Sequence, residues 1–158
     1  YLWPPIAQVV LILAAFAGGC AGSTAGGIKI IRVLTIWRQG AREIKRLVHP
    51  NGVFHVKVGG RPVSEPVLNS IWSFISVYIF LFFFSVVLIM TVSELDFLTS
   101  FSAVSASLNN LGPGLGMVGE SYEDISAPVK WILIVNMMLG RLELFTILVL
   151  FTPYYWRR

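Results

Sequence analysis

Two stretches of irregular backbone, each set inside apolar sequence, hold the residues whose types and spacing could do chemistry. The first is Asn109-Asn110-Leu111-Gly112-Pro113-Gly114-Leu115-Gly116. A dehydrated cation needs oxygen ligands in place of its water shell. Backbone carbonyls supply them where the chain is extended and side chains leave room. Gly112 can take backbone angles closed to other residues, and Pro113 stiffens the turn that follows. The second stretch runs from Gly18 to Gly27, with five glycines in ten residues around Ser23 and Thr24. Such a sequence makes a poor helix, and a hinge of this kind can absorb large dihedral changes. A third feature is Arg141, charged and within a long apolar run. A charge at mid-membrane costs about 2.5–3.5 kcal/mol on insertion scales and marks a functional position by default.

Plainer alternatives stand beside each. Asn109–Gly116 could be a buried turn joining two helices, and Gly18–Gly27 a static unwound turn packed by its neighbours. Arg141 could pair with a group on a neighbouring helix. Glu143 lies two residues on and would not face it within one helix. Cys20, the one cysteine, reads as a small buried thiol and can form neither an internal disulfide nor a metal site.

These features need elements to hold them at depth. Of the 158 residues, 56% are hydrophobic and 13% charged, against about 25% charged in average soluble domains. Mean hydropathy is +0.76. The net charge of +4 comes from basic residues beside apolar runs, which fits topology signals rather than a nucleic-acid face. Tyr1 stands inside an apolar run with no basic segment before it, so we expect a piece of a longer protein rather than a secretory signal.

Leu2–Phe16 is apolar but short for a span of about 20 residues, and it runs into the Gly-rich break. Beyond the break Ile30, Leu34, Trp37, Ala41, Ile44 and Val48 alternate with Lys29, Arg32, Arg38, Arg42, Lys45 and Arg46, the pattern of a basic amphipathic helix. His49–Glu65 is polar, and Val53–Val58 fits a short strand. Pro66–Ser93 has no charge and predicts a spanning helix. Phe97–Leu108, placed for capping by Asp96, covers about 18 Å as helix, too short to cross. Ala127–Thr152 predicts another span, and Tyr154, Tyr155 and Trp156 mark an interface.

An orientation with the first helix running inward puts ten of the twelve Lys and Arg residues inside, as the positive-inside rule requires. Glu94, Asp96, Glu120, Glu123 and Asp124 then lie outside, and the short segment must dip in and return. The fold class expected is an all-α integral membrane protein. It comprises a helix, a re-entrant pore helix and a helix, in the manner of a potassium channel, preceded by a broken transmembrane helix. The pore helix aims its partially negative C-terminus at the irregular loop, and the outer carboxylates raise the local cation concentration, unless they are merely solvated loop residues. Every electrostatic feature favours a cation.

Other chemistries fail in context. Gly114–Gly119 fits the G-x-G-x-x-G pattern but follows no strand. Gly22–Lys29 is one residue too long for a phosphate loop and lacks the following Ser or Thr. Ser23 has no base, because His49 and His55 lie in the polar segment. We therefore expect no enzyme.

Gly18-Gly19-Cys20-Ala21-Gly22-Ser23-Thr24-Ala25-Gly26-Gly27-Ile28-Lys29 resembles the intramembrane gating loop of the Trk/Ktr/HKT potassium transporter superfamily. Asn109-Asn110-Leu111-Gly112-Pro113-Gly114 resembles its fourth selectivity-filter segment. Gly140-Arg141-Leu142-Glu143-Leu144-Phe145-Thr146, with Phe151-Thr152-Pro153, is similar to the last helix of the bacterial TrkH branch.

The resemblance implies four pore repeats in one polypeptide. Residues 1–46 would be the second helix of the third repeat, broken at 18–27, and 47–65 a cytoplasmic linker. The fourth repeat would follow, with a span at 66–93, a pore helix at 97–108, a filter at 109–116, an outer loop at 117–126 and a span at 127–153. Residues 154–158 would be a cytoplasmic tail. It further implies a filter lined by Asn109, Asn110, Leu111, Gly112 and Pro113, with K⁺ at the carbonyls of Asn110, Leu111 and Gly112. The gate would comprise Gly18, Gly19, Gly22, Ser23, Thr24, Gly26, Gly27 and Arg141. The transported ion would be K⁺, with no organic cofactor in this chain. The partners implied are membrane lipid, the remaining repeats, a second copy in a homodimer and a cytosolic ring of TrkA-like nucleotide-binding regulators. The location implied is a bacterial inner membrane. A different class, a non-conducting membrane interaction or structural subunit, would pack the same loop dry.

Overall fold

The computed structural model describes residues 4–20, 26–50, 52, 54–119 and 121–142. In chain order it holds α1 (Pro5–Ala17), α2 (Ile30–Val48), β1 (Lys57–Val58), β2 (Arg61–Pro62), α3 (Glu65–Val92), α4 (Phe97–Leu108), a 3-10 turn (Gly116–Val118) and α5 (Ala127–Arg141).

The helix ends follow local chemistry. Prolines occupy the first turn of α1, α3 and α5, where a missing N–H costs nothing. α1 stops at Gly18, whose N–H still reaches the Ala14 carbonyl at 3.2 Å. α3, with 28 residues, extends about 42 Å, more than the roughly 30 Å of a bilayer's hydrocarbon core. Among the described residues it is the one helix long and apolar enough to cross. Asp96 does occupy the N-cap of α4, but its side chain makes no capping bond. Its carboxylate is exposed, so water can take the place of the helix N–H groups as partner.

α4 is the centre of the fold. From Ser102 to Leu108 every residue is buried, and α1, α3 and α5 all pack against it. α3 supplies a buried stripe at helical spacing, Phe74, Tyr78, Phe82, Val86 and Ile89, and α5 adds Val129 and Leu133. The other face of α3, including Phe80, Phe83, Phe84 and Val87, is apolar and exposed. Ser85 donates to Asn136 Oδ1 at 3.0 Å, joining α3 to α5 within this apolar core.

α2 lies along the start of α3. The Arg32 guanidinium sits 4.0 Å over the Phe74 ring, Trp72 Nε1 donates to Gln39 at 2.8 Å, and Arg42 pairs with Glu65 at 2.6 Å. Glu65 first, and then Glu43, holds Arg42 protonated above the ordinary arginine range. The strand expected at Val53–Val58 is shorter: Lys57–Val58 pairs with Arg61–Pro62. Gly59 and Gly60, with φ of 60° and 81°, form the two-residue turn that demands positive φ at both positions. Beyond the assigned strands, Val63 N–H still bonds Val56 O at 2.8 Å. Val53, Glu120, Glu143 and the remainder of the second predicted span lie outside the described residues.

Candidate functional site

The end of α4 builds the site. Asn109 caps the helix and Asn110 takes the left-handed conformation with φ 54°. Asn110 N–H then bonds Ser107 O at 3.1 Å, and Leu111 N–H bonds Ala106 O at 2.8 Å. This is a Schellman ending with Asn where glycine is commoner. It turns the chain abruptly out of the helix at Leu111.

From there the backbone runs without regular structure to Leu115. Gly112 has φ 106°, and a Cβ there would meet nothing within 4 Å. The requirement for glycine is therefore backbone conformation and not space. The far end is pinned by Ser102 of α4, whose hydroxyl accepts from Leu115 N–H at 2.9 Å and lies 3.0 Å from its carbonyl. Gly114 N–H donates to Val118 O at 3.1 Å. Among the described residues no hydrogen bond uses the carbonyls of Asn110 or Leu111. The Gly112 carbonyl does have a partner: the Tyr122 hydroxyl donates to it at 2.9 Å. Burial pushes the Tyr122 hydroxyl above the ordinary tyrosine range, so it stays protonated and able to donate at neutral pH.

The Gly-rich break meets this same point. Its two arms run back on each other: Ile28 N–H bonds Phe16 O at 3.1 Å, and Ile30 N–H bonds Gly19 O at 3.2 Å. Gly18 lies against the returning arm, since a Cβ on it would come 2.8 Å from Gly26 O. The returning arm sits on α4. A Cβ at Gly26 would come 2.6 Å from Asn109 O, and one at Gly27 would come 3.2 Å from Asn109 Oδ1. Gly22, Ser23 and Thr24 lie outside the described residues. Cys20, expected to be buried, is exposed, three residues past the end of α1.

On the other flank α5 closes on the turn. A Cβ at Gly140 would run into Leu108 O and lie 2.9 Å from Asn110 Nδ2, and Asn110 Nδ2 lies 3.4 Å from the Met137 carbonyl. Arg141, one residue on, is exposed and makes no hydrogen bond or ion pair with another described residue. The structure thus brings together Asn109–Pro113 and the Gly18–Gly19 and Gly26–Gly27 arms, and it leaves Arg141 beside them without a bonded partner in the described chain. Sequence reasoning gave no site role to Gly140, which it named only within the last-helix string, or to Tyr122 and Tyr78. Nothing periodic marks them, and only the chemistry of a phenol in an apolar run hints at Tyr78.

A family model described as TrkH, cation transport protein, matches residues 2–158. The chain is 51% identical over 155 residues to the Trk system potassium uptake protein TrkH of Escherichia coli (strain K12), covering 98% of this chain and 32% of that protein. It is 41% identical over 156 residues to the Trk system potassium uptake protein TrkG of the same organism, with coverages of 98% and 32%. The fold matches the crystal structure of the potassium transporter TrkH from Vibrio parahaemolyticus with a TM-score of 0.89 at 49% identity, covering 98% of this chain and 33% of that one. The chain spans about a third of the length of the curated relatives it matches, 32% in both cases given.

Proposed function

Because the chain belongs to the TrkH family of cation transport proteins, we propose that it forms one wall and the gate of a potassium uptake pore. Asn109–Pro113 line the selectivity filter. K⁺ is held by the carbonyls of Asn110 and Leu111, with that of Gly112 oriented by Tyr122. Gly18–Gly27 is the gate beneath, and Arg141 adds a positive barrier near it. The observation that carries this reading is the Schellman turn of α4. It leaves two carbonyls without a donor among the described residues, at the partially negative end of a buried helix, against the arm of a glycine-rich break.

Uptake runs down the membrane potential, worth about 2.3 kcal/mol per charge per 100 mV. The basic segments face the cytoplasm of a bacterial inner membrane and the acidic loop faces outward. The complete protein supplies the other repeats, dimerises and binds TrkA-like regulators on the cytoplasmic side. The likeness to proteins named for potassium uptake supports the choice of ion.

The test is rubidium uptake by the full-length protein in uptake-deficient cells, with sodium as competitor. Gly112→Ser places a side chain at φ 106°, a strain of about 1–3 kcal/mol that the filter relieves by moving its carbonyls. We expect resistance to sodium to fall at least tenfold. An unchanged ratio in a well-conducting variant would make the loop structural. Absence of rubidium uptake by the unaltered protein would favour a non-conducting subunit.

Tyr122→Phe is a milder probe of the same carbonyl. A neutral hydrogen bond contributes about 1 kcal/mol net, so the sodium competition ratio should shift by up to roughly fivefold. The unaltered protein should keep its ratio between about pH 6 and 9, because a raised tyrosine pKa keeps the donor protonated throughout that range and loses it only at higher pH. Identical competition curves for Tyr122→Phe and the parent would remove Tyr122 from the filter.

A further inference from the structure

Tyr78 lies 31 residues before Asn109 in sequence, in the middle of α3, yet its hydroxyl donates to Asn109 Oδ1 at 2.6 Å. Both residues are buried, at 2% and 6% exposure. Asn109 Nδ2 is committed as well, donating to Ser105 O at 2.9 Å. The amide is therefore held at both ends, and it cannot turn without leaving a buried polar atom unpaired.

Asn109 is also where the two irregular stretches touch. Its peptide fixes the start of the Asn110–Gly112 turn, and Gly26 rests on its carbonyl. Tyr78 also meets the end of α1 that leads into the break. Its ring is edge-on to Phe16 at 6.4 Å, with an interplanar angle of 82°, and Phe16 is the residue whose carbonyl receives Ile28 N–H. One phenol thus contacts the end of α1 through its ring and the seat of the returning arm through its hydroxyl.

We infer that Tyr78 and Asn109 are positioning residues at the contact between the ion-lining turn and the Gly-rich break, and that the Tyr78 hydroxyl restrains this coupling so that ion discrimination survives movement of the arm. The inference rests on the reading of 109–113 as the filter. Movement of Gly26 and Gly27 changes the space under the Asn109 peptide. The Tyr78 hydroxyl is the restraint that keeps this peptide, and the carbonyls after it, in register while the arm moves. Without it the amide follows the arm, and the first filter carbonyls follow the amide.

Tyr78→Phe in the full-length protein tests this, because the ring and its packing against Phe16 and Phe74 remain and only the hydroxyl is lost. We expect normal membrane abundance, a rubidium uptake rate within about threefold of the parent, and a fall of about tenfold in discrimination against sodium. A residue that merely stabilises the fold would lower abundance and rate together and leave the ratio alone. Combined with Gly26→Ala, the change in ratio should be less than the product of the single changes, since both act on the Asn109 peptide.

Gly112→Ser measured alongside separates the two readings. If it loses discrimination and Tyr78→Phe does not, the coupling falls and the filter stands. If Gly112→Ser keeps parental discrimination, the filter reading falls and the coupling with it. Should Tyr78→Phe fail to reach the membrane, Asn109→Ser carries the test, because its shorter side chain leaves the reach of Tyr78. The same tenfold loss is expected, and an unchanged ratio overturns the inference.

Discussion

Gly140→Ala should reduce rubidium uptake by the full-length protein at least tenfold at equal membrane abundance, although alanine is the better helix former by about 1 kcal/mol. The added methyl would run into Leu108 O and sit 2.9 Å from Asn110 Nδ2. The Asn110 amide is half-buried and can rotate away, but Leu108 has no room to yield, because it is fully buried and its carbonyl belongs to the last turn of α4. Overpacking of this kind costs about 1–3 kcal/mol when the surroundings relax. Relaxation here means moving α5 outward, which opens the Asn110–Met137 approach at 3.4 Å and loads the Ser85–Asn136 bond. The turn that carries the proposed filter is then released on one flank. A variant with parental uptake and thermal midpoint would show that α5 does not press on this turn in the complete protein.

Gly26→Ala acts from below, with a different signature. Its methyl would meet Asn109 O at 2.6 Å, Asn109 C at 2.7 Å and Asn109 Cα at 3.1 Å. All three are backbone atoms, so no side-chain rotation relieves the contact. The arm must lift off the end of α4. A barrier seated there is weakened, so uptake should rise several-fold while discrimination against sodium falls. A larger side chain, as in Gly26→Val, should push both further. A reduced rate with discrimination intact would mean that the arm moves into the path and not away from it, contrary to the proposed gate.

Much of this was legible before any coordinates. The bounds of α4 follow from a Ser- and Ala-rich apolar run that meets Asn109-Asn110-Leu111-Gly112-Pro113, because helix propensity and proline geometry act over a few residues. The length of α3 follows from an uncharged run, and the amphipathic α2 from its period. The Gly59–Gly60 turn is equally local, whereas the extent of its strands depends on how far the two chains stay side by side.

The amino-acid sequence by itself determined that this chain belongs in a membrane, that Phe97–Leu108 is too short a helix to cross, and that two glycine-rich breaks interrupt its apolar runs. Each of those is decided by the local cost of burying charge or leaving backbone unpaired. Only the tertiary structure decided that the breaks meet at Asn109, that Tyr78 holds it, that Gly140 lies against the Leu108 carbonyl, and that Tyr122 takes the Gly112 carbonyl. A glycine or tyrosine in an apolar helix looks the same in sequence whether it faces lipid or a neighbouring backbone. Which it faces is set by the rotation and approach of whole helices, and that is a property of the packed core and not of any one segment.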